Sequence, residues 1–109
     1  MRSQVFFADH KIREAYRKLE NSKNEKKKLY EWINRAIDDL AENCFCGIQI
    51  SKKQIPRDYS KKYGARNLWK YNLPNAWRVL YTIKKEEAEI ISIILEWMNH
   101  ADYERKFKY

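Results

Sequence analysis

Residues 67–83 read NLWKYNLPNAWRVLYTI, and the alternation of side chains along this stretch decides the fold. In a β-strand successive side chains point to opposite faces. Trp69, Tyr71 and Leu73 then face one way, and Lys70 and Asn72 the other. After the turn residues Pro74, Asn75 and Ala76, the segment resumes with Trp77, Val79, Tyr81 and Ile83 on one face and Arg78, Leu80 and Thr82 on the opposite one. The pattern is that of a hairpin with its loop at PNA. Its aromatic residues read as core, and Lys70 and Arg78 as neighbours on the side away from it, forming an open cationic floor.

Working outward, a third strand at Ala88–Trp97 follows the second through a KKEE turn, giving strands at about Asn67–Leu73, Trp77–Lys84 and Ala88–Trp97. Upstream, CFCGIQIS reads as a further strand with Gly47 as a bulge or turn. IPRDYSKKYG reads as a short Pro-initiated helical piece ended by Gly64. The first half of the chain has a different period. After a short apolar run at Val5–Phe7 and an N-capping Asp9, Ile12, Ala15, Tyr16 and Leu19 recur at helical spacing. Leu29, Trp32, Ile33, Ala36, Ile37 and Leu40 do the same over three turns. The polar link ENSKNEKKK is short enough to fold the two helices into an antiparallel hairpin. Residues 101–107 suit a short terminal helix. The order predicts an α+β fold: an N-terminal strand and a helix hairpin on one face of a mostly antiparallel sheet, in a single domain of 109 residues.

The net charge of +8 points to a polyanionic partner. Lys26, Lys27 and Lys28 are balanced on their own helix by Glu25, Glu31, Asp38, Asp39 and Glu42, and read as a solvated face. Between Ile50 and Arg78, by contrast, Lys52, Lys53, Arg57, Lys61, Lys62, Arg66, Lys70 and Arg78 face the single acid Asp58. Such a concentration suits a phosphate backbone, because neutralising each phosphate releases condensed counterions. The interleaved aromatic residues favour RNA or single strands over duplex DNA. Cys44 and Cys46 are too close for an unstrained disulfide and too few for a structural zinc site, so they are expected as reduced thiols with no metal bound. No apolar run is long enough to cross a bilayer and the chain opens without a secretory pattern, so a cytoplasmic protein with no membrane partner is expected.

NLWKYNLPNAWRVLYTI, a following strand, and then LEWMNHADYERKF at residues 95–107 together resemble the RelE/ParE toxin superfamily, in particular its archaeal RelE-like members. The likeness covers the order of elements along the whole chain and is specific over the C-terminal half. It implies the toxin of a type II toxin–antitoxin system, held in check by a cognate antitoxin. RelE-type members are mRNA endoribonucleases (mRNA interferases) that cut messenger RNA on the ribosome and so inhibit translation. ParE-type members share the fold but poison DNA gyrase, and a catalytically inactive RelE-fold protein that only binds antitoxin and nucleic acid is a further alternative.

For the RelE type the resemblance implies metal-independent chemistry without a cofactor, in which the RNA's own 2′-hydroxyl attacks the adjacent phosphorus. It gives Arg78 the scissile phosphate and Lys70 phosphate stabilisation or proton abstraction. His100 becomes a general acid or base, since an imidazole can exchange a proton near neutral pH. Tyr103 would stack on or orient a nucleotide. Asn72 stands where RelE-like proteins carry a second basic residue. Lys52, Lys53, Arg57, Lys61, Lys62, Arg66 and Arg105 read as contacts to ribosomal RNA. Glu96, by strand parity opposite to Ile93 and Leu95, is expected in a salt bridge with a nearby lysine.

Overall fold

The computed structural model describes residues 1–108. Five strands form one open sheet in the order β1-β5-β4-β3-β2: β1 Gln4–Phe7, β2 Ile48–Gln49, β3 Trp69–Asn72, β4 Arg78–Glu86 and β5 Glu89–Met98. All neighbours are antiparallel except β1, which runs parallel to β5 with Phe6 beside Ile93. Among the described residues four α-helices accompany the sheet: α1 His10–Glu20, α2 Glu25–Glu42, α3 Arg57–Tyr63 and α4 His100–Phe107.

Helix starts follow local chemistry. The Asp9 carboxylate accepts from the Ile12 N–H at 2.9 Å and the Asn99 amide oxygen from the Asp102 N–H at 2.8 Å, so α1 and α4 each begin on a side-chain cap. Helix α3 ends where Gly64 adopts φ 65°, a left-handed conformation that an L side chain rarely takes.

The sheet is buried on both faces. The α1–α2 hairpin covers one, where Leu29, Ile33, Ala36 and Leu40 of α2 meet Val79, Tyr81 and Ile94. Trp69, Tyr71, Trp77 and Trp97 pack around that core, so the aromatic run is packing, as the parity implied. The second face carries Leu80, Leu95 and Met98, and these meet Tyr59 of α3 with Tyr103 and Phe107 of α4. Side chains of this size stabilise by roughly 1.5–3 kcal/mol each when fully buried, so neither face can be left to water. The expectation of helices on one face only is therefore incomplete, and the floor under Lys70 and Arg78 is not open: α4 lies against it.

Two further expectations change. Of CFCGIQIS only Ile48–Gln49 forms a strand; Cys44–Gly47 is a turn, with the Cys46 N–H donating to the Asn43 carbonyl and the Phe45 N–H to the Asn43 side chain. Both thiols are free, Cys44 buried and Cys46 exposed. Strand β5 also departs from strict alternation. Leu80 pairs with Glu96 but Tyr81 pairs with Ile94, so Leu95 is an extra residue in a β-bulge. The bulge turns Glu96 to the same side as Leu95, toward α3 and α4, where parity counted from Ile93 places it on the other side.

Gly47 is a position of close approach. A Cβ there would meet the Lys70 carbonyl oxygen and the Tyr81 hydroxyl at 2.6 Å. That hydroxyl is itself committed, donating to the Cys44 carbonyl at 2.8 Å and accepting from the Gly47 N–H at 3.1 Å. Gly47→Ala is expected to lower unfolding free energy by about 1–3 kcal/mol in denaturant titrations, through overpacking against backbone. An unchanged midpoint would show that the turn can move aside.

Candidate functional site

Lys70, Arg78, His100 and Tyr103 come from three elements and line one open cleft of about 580 Å³. The hairpin register makes this possible. Lys70 lies opposite Leu80, and Arg78 opposite Asn72, so both cations project from the face that α4 covers. The β3–β4 turn also steadies Arg78: Asn75 and Ala76 take φ near 60°, and the Ala76 carbonyl accepts from Arg78 Nη1 at 2.8 Å. Pro74 opens this turn, and the Leu73 N–H to Trp77 carbonyl bond of 2.8 Å closes it.

Tyr103 is the centre of the cleft floor. Its ring carries the Arg78 guanidinium at 4.2 Å and the Lys70 ammonium at 5.0 Å, and Lys70 donates to its hydroxyl at 3.2 Å. The electron-rich ring face attracts cations and offsets part of their mutual repulsion. Phe107 stacks on Tyr103 at 4.4 Å, and Tyr59 lies 6.0 Å from Phe107. At 3% exposure Tyr103 supports the cations from within the core and does not offer an open face to a base. Neither Lys70 nor Arg78 pairs with a carboxylate among the described residues. Arg78 Nε is buried and has no hydrogen-bond partner there. Two half-buried cations in one cleft, neither paired with a carboxylate among the described residues, form a site suited to an anion.

His100, the first residue of α4, is exposed at the mouth, and its Nε2 is 2.5 Å from a Glu104 carboxylate oxygen. Glu104 and Lys108 also line the cleft, and the sequence reading did not single them out. Their signal was present: residues 100, 104 and 108 recur at the spacing that stacks side chains on one helix face.

The other basic residues lie elsewhere. Lys52 and Lys53 sit in a short turn after β2, while Arg57, Lys61 and Lys62 are exposed on α3. Arg105 on α4 pairs with Asp102 at 3.1 Å, and Arg66 lines a separate cleft. Asn72 is exposed and brings no charge to the pair.

Helix α4 is tied to the rest of the structure by Lys106. Its ammonium meets Asp58 of α3 at 2.7 Å and Glu96 at 3.2 Å, the salt bridge expected of Glu96 and one that the bulge makes reachable. Burial alone would lower the Lys106 pKa, but Asp58 and Glu96 outweigh it and hold the ammonium above its ordinary value. Beside it, burial first and then the nearby Glu96 push the Tyr59 phenol well up.

No protein-family model matches this chain, and no curated protein or solved structure matches it significantly.

The raised groups give the α3–α4 contact a pH signature. A group held above its unfolded pKa contributes stability that is complete below that unfolded value and is lost as pH rises through the folded one. The unfolded values are near 10 for tyrosine and 10.4 for lysine, so stability is expected to decline from about pH 10 upward. Lys106→Met should cost about 1 kcal/mol at neutral pH and make this alkaline decline shallower in circular-dichroism titrations. An alkaline limb of undiminished slope would remove Lys106 from the account.

Proposed function

We propose that the protein is a RelE-like toxin acting as a metal-independent endoribonuclease on ribosome-bound messenger RNA. The observation that supports this most is the convergence of Lys70, Arg78 and His100 on one cleft around the buried Tyr103. Phosphodiester cleavage by an internal nucleophile needs little more than this set. The 2′-hydroxyl loses a proton and attacks phosphorus, the P–O5′ bond breaks, and the departing 5′-oxygen gains a proton. The products are a 2′,3′-cyclic phosphate and a 5′-hydroxyl.

Arg78 is suited to the non-bridging phosphate oxygens, because its guanidinium is fixed in the cleft by the Ala76 carbonyl and the Tyr103 ring. A donor already oriented where charge accumulates need not reorganise during the reaction. Lys70 adds a second cation from the neighbouring strand and, through Tyr103, shares its positioning. His100 is the exposed group able to carry a proton to or from the reacting oxygens, with Glu104 holding one ring nitrogen. A cognate antitoxin would inhibit by placing acidic side chains over the same cleft.

The test is primer extension on messenger RNA in a translating extract. Wild type should cut at in-frame positions. Arg78→Ala should reduce the rate by about 10²–10³, the usual loss on removing one transition-state donor, and His100→Ala by about 10²–10⁴. Cleavage that survives Arg78→Ala would refute the assignment of the phosphate site. A folded wild type that cuts nothing would refute the ribonuclease reading, and inhibition of gyrase supercoiling would then be measured.

A further inference from the structure

A second cationic cleft, of about 500 Å³, lies on the protein among Tyr63, Arg66, Asn67, Thr82, Lys84 and Lys85. It is separate from the first. Lys84 shares the β4 face of Arg78 by parity but stands six residues along the strand, a rise of about 20 Å. No acidic side chain lines the cleft. Arg66 and Lys85 make no ion pair among the described residues, and both are exposed. Lys84 pairs with Glu86 at 3.6 Å, with 63% of its own side chain exposed. Such a surface pair is worth little and yields readily to a stronger anion.

The cleft is also rigid, because one asparagine joins its two walls. The Asn67 amide donates to the Ile83 carbonyl at 2.8 Å and accepts from the Ile83 N–H at 2.9 Å. The Thr82 hydroxyl donates to the Asn67 carbonyl at 2.8 Å. These bonds fasten the loop after α3 to strand β4. Gly64 then turns the chain so that Ala65 enters the core and Arg66 stays in water. Cations presented from a fixed frame lose less entropy on binding than cations on a mobile loop.

We infer that this cleft is a second phosphate-binding site, taking the backbone of single-stranded RNA at a distance from the reacting phosphate. Arg66, Lys84 and Lys85 engage phosphate oxygens along the strand. The inference rests on the reading that RNA is the substrate. It adds that affinity for the strand is set largely at a site that performs no chemistry.

The experiment measures binding of a short fluorescein-labelled single-stranded RNA by anisotropy, across a series of salt concentrations. Arg66→Gln, Lys84→Gln and Lys85→Gln are combined in one variant. Lys26→Gln, Lys27→Gln and Lys28→Gln on α2, combined in another, control for the same loss of net charge. With about 0.7 counterions released per phosphate on a single strand, the cleft variant should flatten the slope of log K against log salt by roughly two, and the α2 variant should leave it near that of wild type.

Equal slopes in wild type and the cleft variant overturn the inference, and so does equal flattening in both variants. The two readings fail separately. Arg78-dependent in-frame cleavage with an unflattened slope sinks the second site alone. A flattened slope with no cleavage by wild type keeps the site and sinks the ribonuclease. Wild type that binds RNA without salt dependence sinks the second site whatever the cleavage assay shows.

Discussion

Strand β4 buries Val79 and Tyr81 on one side and Leu80 on the other, and this double burial constrains everything around it. A strand with one wet face could be served by the α1–α2 hairpin alone. With Leu80, Leu95 and Met98 needing cover as well, the chain must return α3 and α4 to the far face. The cations that begin on that face are thereby brought beside a helix rather than left in open water. Lys70 and Arg78 acquire a partner, Tyr103, because the core beneath them had to be closed.

The cost of that arrangement is visible in its chemistry. Two like charges held near one ring, without a carboxylate between them, repel each other. The Tyr103 ring relieves part of this through its electron-rich face, and an incoming anion would relieve the rest. A phosphate placed beside both cations would be stabilised by each of them. Such stabilisation can serve a transition state only if the groups do not move; here the Tyr103 ring beneath the cations is held by stacking on Phe107, and α4 by the Lys106 ion pairs.

The basic residues of the 50–78 span are contiguous in sequence but not in space. Helix α3 presents Arg57, Lys61 and Lys62, the loop after it presents Arg66, and the hairpin carries Lys70 and Arg78 into the Tyr103 cleft. Lys84 and Lys85, outside the span, join Arg66. A run of charge read along the chain therefore becomes at least two surfaces, one around Tyr103 and one around Arg66.

Local patterns determined much of this protein from sequence alone. The three-turn apolar stripe of α2, the Asp9 cap, the Gly64 stop and the alternation through Trp69–Ile83 each act within a few residues, where periodicity and backbone preference decide the outcome. The same alternation placed Lys70 and Arg78 together and assigned the aromatic residues to the core. What the pattern could not carry was the bulge at Leu95, since an extra residue in a strand leaves no mark on composition yet reverses the facing of Glu96, Trp97 and Met98. The cover of the second face, the burial of Tyr103 under two cations and the union of Arg66 with Lys84 and Lys85 were likewise decided in three dimensions. Each depends on residues far apart in the chain meeting across a sheet whose two sides both had to be kept from water.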